Sequence, residues 1–293
     1  MSQFESKTAV ISGGAEGIGF GVAKAMGKQG MNIVLGDIDE AQLAVAEAQL
    51  QALGIPVLAV KMDVTDRSQW QNLAEQAIAR FGKIHMLLNN AGVSSKPGSI
   101  EATNHKDWNW VVDVNLMGVV TGAEIMVPYM KQHGEGGWLV NVASMAGIMG
   151  IPYAGAYTAT KVAVVGMSEA WQVELERHNI HVAVLCPAFV KTRIHLSHRN
   201  RQQHHKIERP ENSAKKGSGN NPAQALVENG IPADLVGERV VEALNAGELY
   251  IFTHPSHRDA VKKRSAAIDA AFARAAQSPL VGHVVDEEIV GFE

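Results

Sequence analysis

The chain has 293 residues, enough for one large domain and an appendage, and its 46% hydrophobic and 19% charged residues are the balance of an ordinary globular protein. A formal net charge of −4 argues against a general nucleic-acid binder, which is usually basic. One cysteine, Cys186, excludes an intrachain disulfide, and neither a signal peptide nor an 18-residue apolar run is visible, so a cytoplasmic protein with no membrane span is expected. The first strand is predicted over Thr8 to Ser12, the second over Asn32 to Asp37, then Val57 to Lys61, Met86 to Asn89, Trp138 to Val142 and His181 to Cys186, with Leu249 to Phe252 closing the series. These runs lack strict two-residue alternation, as expected of strands covered on both faces. Helical patterns separate them, for example Asp39 to Leu53 and Ser68 to Phe81. Strand and helix in turn imply right-handed crossovers and a doubly wound, mainly parallel seven-stranded α/β sheet with helices on both faces, a Rossmann-type fold.

Two segments break this rhythm. Lys191 to Lys216 is rich in basic residues and passes into a Gly-, Ser- and Asn-rich stretch from Asn212 to Pro222. Its composition suggests a substrate lid, about 188–235, inside a single domain over 1–255. A C-terminal extension over 256–293 is expected to carry a helix from about His257 to Gln277. Cys186 lies in the apolar run Val182 to Cys186 and reads as a buried strand residue, not a nucleophile.

Ser12-Gly13-Gly14-Ala15-Glu16-Gly17-Ile18-Gly19 joins the first strand to a helix that runs to about Lys28. Gly13 permits a tight turn, Gly17 lets the backbone approach a pyrophosphate and Gly19 lets helix pack on strand. The helix N-terminus then offers free N–H groups and partial positive charge to the phosphates. Asp37 ends the second strand, where a carboxylate can accept from both hydroxyls of an adenosine ribose; capping of the next helix is its plainer role. A 2′-phosphate there would meet a like charge, worth about 4 kcal/mol per unit pair at 4 Å and an effective dielectric of 20. Neither the turn nor Ile38 supplies a basic residue to receive a phosphate, which favours NAD(H) over NADP(H). Asp63 and Val64, after the third strand, are candidates for adenine contact.

Tyr157 and Lys161 are four residues apart, on one face of a helix. A phenol has a reference pKa near 10; a lysine ammonium one turn away favours the phenolate and makes the pair a usable acid and base for an alcohol or ketone. Ser144 stands thirteen residues upstream.

With the glycine turn, Asn89-Asn90-Ala91-Gly92, Asn115, Ser144, Tyr157 with Lys161, and Pro187-Ala188 through Thr192, the chain resembles the short-chain dehydrogenase/reductase family over nearly all of Lys7 to Thr253. The resemblance implies an NAD(H)-dependent oxidoreductase that interconverts a secondary alcohol and a ketone. It implies Tyr157 as general acid/base, Lys161 as the residue that lowers its pKa and binds the nicotinamide ribose, Ser144 as orienter of the substrate oxygen, and Asn115 as holder of a water that links Lys161 to solvent. Asn90, Ala91 and Gly92 would line the cofactor, and Pro187, Val190 and Thr192 would meet the nicotinamide. The chain departs from the family pattern at Ser12, usually Thr, and at Ala188, often Gly. A related carbonyl or 3-oxoacyl reductase, or a non-catalytic dinucleotide sensor on the same fold, remains an alternative; the sensor would need none of the proton chemistry.

Val93, Met145, Ile148, Met149, Ile151, Tyr153 and Phe189 are expected near the substrate, and suit an aromatic or apolar body. Lys191 to Arg201, with Thr253-His254-Pro255, is similar to bacterial dehydrogenases that oxidise the benzylic Cα alcohol of lignin-derived aryl ethers. His195 and His198 could share a helix face, but no acidic or Cys partner in sequence completes a metal site, and none is expected. The basic lid could recognise an anionic substrate group or form only a solvated face. Helices over Trp108 to Met130 and Tyr157 to Glu176 are rich in apolar residues, and the family pairs their equivalents in a dimer, so a homodimer or homotetramer is expected.

Overall fold

Valine, isoleucine and leucine runs that have no polar face become the strands of one buried sheet, described in a computed structural model over residues 2–207 and 222–284. In chain order the strands are β1 (Thr8–Ser12), β2 (Asn32–Asp37), β3 (Val57–Lys61), β4 (Met86–Asn89), β5 (Gly137–Val142), β6 (Ile180–Cys186) and β7 (Tyr250–Phe252). They lie in the order β3-β2-β1-β4-β5-β6-β7, and every pairing is parallel. The chain therefore leaves β1 on both sides, toward β2 and toward β4. Between those strands the loops at the carboxyl ends diverge and leave a crevice, the usual ligand position in such sheets.

Helices α1 (Gly17–Lys28), α2 (Glu40–Ala52) and α3 (Arg67–Phe81) follow β1, β2 and β3. Asp39 caps α2 by accepting from the Gln42 N–H, and Asp66 caps α3 by accepting from the Ser68 N–H. Asp37 is thus free of the capping duty that competed for it. Gly82, at φ +81°, ends α3. A long helix follows β4. It comprises α4 (His105–Val112), a π-helical turn over Asp113–Met117 and α5 (Gly118–Gln132). The single expected helix is therefore real but interrupted, and the π turn falls on Asn115; such bulges concentrate at functional positions. This helix is long and apolar enough to cross a membrane by length and composition, but 56% of its apolar stretch is buried inside the protein, as in a core helix.

The short α6 (Met145–Ile148) and the long α7 (Gly155–Glu176) follow β5; α8 (Pro222–Glu228) and α9 (Ala233–Asn245) lie between β6 and β7. Sequence patterning did not single out α9, which packs on α1. The contact is close because both helices carry glycine there: a Cβ on Gly21 would stand 2.3 Å from the Ala233 carbonyl oxygen, and one on Gly237 would stand 2.3 Å from the Gly21 carbonyl oxygen. The stretch expected as loop from Asn212 lies outside the described residues up to position 221. One apolar cluster, with Phe4, Val22, Leu35 and Val240, covers one sheet face; another, with Val10, Trp70, Leu87 and Val182, covers the other.

Residues Met1–Thr253 form one compact unit and His254–Glu293 a second. The second contains α10 (Arg258–Ala276), preceded by a 3-10 turn. None of the α10 residues is buried, and Phe272 is 74% exposed.

Candidate active site

The glycine turn is built by exclusion. Gly13 and Gly17 adopt φ of +63° and +57°, where a side chain is strained. A Cβ on Gly19 would stand 2.3 Å from the Gly13 carbonyl oxygen, and one on Gly13 would stand 2.8 Å from Ala91 Cα. The loop after β4 is stapled to this turn. Ser12 Oγ accepts from the N–H groups of Asn90 (3.0 Å) and Ala91 (3.2 Å), while the Asn90 amide donates to the carbonyls of Ser12 (3.0 Å) and Gly13 (2.8 Å). Serine therefore performs the bonding at position 12, where the family usually has threonine. Asn89 lies deeper and donates to Asn141 Oδ1 at 2.9 Å, which ties β4 to β5.

Asp37 is buried at the end of β2. Its two oxygens accept from the Ala15 and Asp39 N–H groups, both at 3.0 Å. Burial pushes its carboxyl above the ordinary value; the two backbone hydrogen bonds pull the other way, and the charges of Glu16 and Asp39 push it up again. Each oxygen keeps a lone pair for a further donor. Ile18 is the second residue of α1 beside the turn, and Ile38 is half-buried next to Asp37. Asp63 accepts from the Thr65 N–H at 2.9 Å and from the Gln202 amide at 3.0 Å on each oxygen. Val64 is buried and its carbonyl accepts from the Trp70 indole. Neither the turn nor Ile38 supplies a basic residue, but the distant lid brings Arg193 and Arg199 onto Glu16, and Arg199 Nε lies 3.9 Å from Asp39 Oδ2. Both guanidiniums share one carboxylate that sits inside the turn.

These residues fit a dinucleotide. The turn presents backbone where any side chain would intrude, with Thr192 directly over Gly17: a Cβ there would come 3.1 Å from Thr192 Cγ2. Val190 is buried and bridges to Ile231, and the Pro187 carbonyl accepts from the Met145 N–H at 2.9 Å. Pro187 to Thr192 thereby runs from the end of β6 along the same crevice.

Across it stand the four candidate catalytic residues. Ser144 caps α6, and its Oγ accepts from the Ala146 N–H at 3.1 Å. Burial pushes the Tyr157 phenol above its ordinary pKa, while a hydrogen bond with Ser144 pulls it down. Lys161 is 3% exposed; its Nζ lies 5.6 Å from the Tyr157 ring centre and donates to the Val142 carbonyl at 2.8 Å. Burial lowers the ammonium to about 8. Lys161 is not among the groups that shift the phenol: burial raises it and the hydrogen bond with Ser144 lowers it, while burial weakens the charge of the lysine itself. Asn115 is fully buried; its Oδ1 accepts from the Val93 N–H at 2.7 Å and its Nδ2 donates to the Val93 carbonyl at 2.9 Å. This gives Asn115 the task of holding the loop after β4, distinct from the water-holding role that the resemblance implies. Gly92 sits between it and the lysine: a Cβ there would lie 3.6 Å from Asn115 Oδ1 and 3.7 Å from Lys161 Nζ.

The apolar residues expected near the substrate divide. Met145 is 5% exposed and Ile148 packs with Val164 and Val184, so both serve the core. Ile151, Tyr153 and Phe189 are exposed, and Tyr153 adopts φ +63°. Among the described residues His195 and His198 join no metal-type ligand set; His195 Nε2 lies 3.9 Å from Glu228 Oε1. Among the described residues, metal-type groups come together instead at His85, His133 and Glu135, and at Asp113, His204 and His205. In the first group the ring nitrogens already engage Thr8, Glu135 and Ile84. Sequence reasoning missed Gln202, Trp110 and Asp107, through which the lid is fastened, because nothing in local spacing links positions about a hundred residues apart.

Comparison with known proteins agrees with this geometry. A sequence model of the short chain dehydrogenase family matches residues 7–203. A CLA biosynthesis dehydrogenase/reductase of Lactiplantibacillus plantarum is 34% identical over 268 residues, 90% of this chain and 93% of that protein. A C alpha-dehydrogenase of Sphingobium sp. (strain NBRC 103272 / SYK-6) is 34% identical over 273 residues, 92% of this chain and 87% of its own. A crystal structure of a short chain dehydrogenase/reductase from Burkholderia phymatum in complex with NAD superposes with a TM-score of 0.86, at 35% identity, covering 92% of this chain and 97% of that one. A seven-stranded parallel sheet with its crevice between β1 and β4, and a serine, tyrosine and lysine gathered at that crevice, thus come with relatives that match nearly end to end: the chain belongs to the short-chain dehydrogenase family, and is an oxidoreductase of CH–OH groups.

Proposed function

We propose that the protein interconverts a secondary alcohol and a ketone with NAD(H), on a substrate with an aromatic or apolar body. The observation that carries this is the Tyr157 phenol, hydrogen-bonded to Ser144 and with Lys161 Nζ 5.6 Å from its ring centre. The nicotinamide would accept or supply the hydride; the protein positions the carbinol carbon and handles the proton. In the oxidative direction Tyr157 takes the alcohol proton on its phenolic oxygen, and in reduction it returns it. Ser144 holds the substrate oxygen against that phenol and stabilises negative charge there. Lys161, when protonated, favours the phenolate. Asn115 keeps Gly92 and Val93 in place at the floor of the site.

Asp37 supports NAD over NADP, because a phosphate on the 2′-oxygen would be brought to a buried carboxylate. Exposed Ile151, Tyr153 and Phe189 support an apolar substrate, as does the C alpha-dehydrogenase among the relatives. We also infer self-association through α5 and α7. Val162 and Val173 on α7 are about half exposed, and a Cβ on Gly166 would meet open space, so this face is apolar and flat enough for a second copy.

The test is a panel of aryl and aliphatic secondary alcohols with NAD, read as NADH absorbance, for wild type and Tyr157→Phe. Turnover by the wild type and a loss of 10²-fold or more in the variant, with NADH binding kept, are expected. A variant that retains a tenth of wild-type kcat sinks the assignment.

A further inference from the structure

Residues 193–206 meet the loop that follows each of the first four strands. Arg193 and Arg199 pair with Glu16 after β1, and Arg199 also approaches Asp39 after β2. Gln202 donates to both oxygens of Asp63 after β3, each at 3.0 Å, and Ser197 Oγ accepts from the Ser94 N–H after β4 at 3.3 Å. The far end is anchored on α4. Arg201 pairs with Asp107 at 2.5 Å, donates to the Lys106 carbonyl at 2.9 Å and stacks on Trp110 at 4.5 Å. The Trp110 indole in turn donates to Gln202 Oε1 at 2.9 Å, so both ends of that carboxamide are engaged. Beyond it, His205 Nε2 lies 3.1 Å from Asp113 Oδ2, and Lys106 Nζ donates to the Lys206 carbonyl at 3.0 Å.

The carboxyl ends of β1 to β3 are where the adenosine half of a dinucleotide lies in a sheet of this kind. A segment fastened to all of those loops spans that half of the crevice. We propose that residues 193–206 are a strap across the adenosine half, held by Gln202 on Asp63 and by Arg201 on Asp107, and that its release governs the entry and exit of NAD(H). The proposal deepens the functional reading and rests on it.

A strap that closes in the free and the bound state adds its opening to both barriers. Weakening it then raises the association and dissociation rates together and leaves Kd nearly unchanged. A residue that simply contacts the cofactor changes dissociation and Kd. Asp63 Oδ2 accepts only from Gln202 among the described residues, so it retains capacity for a second donor with the strap in place.

The experiment is stopped-flow NADH fluorescence on the full chain, comparing wild type, Gln202→Ala and Arg201→Ala. Amide hydrogen exchange over 193–206 and over β1 to β4 serves as the second measurement. Expected are rises of about tenfold in both rate constants, the effect of losing one charge-assisted hydrogen bond, with Kd within about threefold. Exchange should quicken in the strap and stay unchanged in the strands. Raising NaCl from about 0.05 to 0.5 M should speed both rates in the wild type by screening its ion pairs, and less so in Arg201→Ala. NADH binding with unchanged rates in both variants, or a faster dissociation alone with a weaker Kd, overturns the strap and leaves the dinucleotide site standing. A wild type that takes up no NADH sinks the functional reading and the strap with it.

Discussion

Lys161 Nζ lies 5.6 Å from the centre of the Tyr157 ring, yet its hydrogen bond goes to the Val142 carbonyl. The two residues share a helix face, as their spacing requires, but the buried ammonium is held by β5. Burial lowers it to about 8 from an ordinary 10.5. Between those values the unfolded chain binds a proton at this lysine and the folded chain does not, so stability rises with pH across the window. Below about 8 both states are protonated, and the folded one carries the cost of a buried charge. In urea titrations at several pH values between 7.5 and 10, the stability of wild type relative to Lys161→Met should climb by up to about 1.4 kcal/mol per pH unit. A flat difference over that range contradicts the assignment of a depressed lysine.

Ser12 is a second site where a small side chain has a definite task. Its Oγ accepts from two backbone N–H groups, those of Asn90 and Ala91, and it is 2% exposed. Ser12→Ala leaves both half-buried donors without that partner, at up to about 1–3 kcal/mol each. The urea midpoint should fall accordingly and NADH affinity should fall with it, since the loop after β4 lines the cofactor side. Ser12→Thr keeps the oxygen, and both quantities should stay near the wild type. Equal behaviour of Ala and Thr would show that the bonds carry nothing.

The sheet and both of its bonding loops were legible because they depend on local features. Apolar runs mark strands, and glycines mark a turn that backbone must fill. The tetrad was legible by resemblance, and the structure gathers it. The direction of the Tyr157 shift was not, because the sequence gives the spacing of Lys161 but not the depth at which both groups lie. Arg193 and Arg199 were visible as part of a basic lid and Gln202 was not singled out; their partners Glu16 and Asp63 lie 177, 183 and 139 residues away, so only folding pairs them. Helix α9 escaped notice although Val236, Val240, Ala243 and Leu244 mark one face, because the surrounding composition suggested a lid.

The crossing of α1 and α9 supplies a stability test of that missed element. A Cβ on Gly237 would stand 2.3 Å from the Gly21 carbonyl oxygen, and the obstructing atom is backbone, which cannot swing aside. Gly237→Ala forces the helices apart, an overpacking cost of about 1–3 kcal/mol or more that outweighs the better helix propensity of alanine, about 1 kcal/mol. A lowered urea midpoint is expected. As a control, Gly166→Ala on α7 gains propensity with open space around it and should be neutral or stabilising, provided α7 is not closely packed against a second copy. Destabilisation by Gly166→Ala in a dimer, with loss of the dimer in sedimentation, would place that glycine in the interface.

Cofactor choice turns on Asp37. Its oxygens accept from Ala15 and Asp39, and Asn at this position can keep only one of those bonds, because its amide end is itself a donor. The structure also brings Arg193 and Arg199 to Glu16 beside this corner, so removing the Asp37 charge leaves two guanidiniums within the lid that a phosphate could recruit. Wild type should prefer NAD in kcat/KM. Asp37→Asn should lose stability by about 1 kcal/mol, the worth of a typical hydrogen bond. Its NAD-to-NADP ratio should fall by at least tenfold, a fraction of the about 4 kcal/mol that a like-charge pair at 4 Å costs under an effective dielectric of 20. Asp37→Asn combined with Glu16→Gln should fall further, because the two arginines are then uncommitted. A wild type that prefers NADP refutes the role of Asp37. An unchanged ratio in Asp37→Asn shows that discrimination rests elsewhere in the crevice.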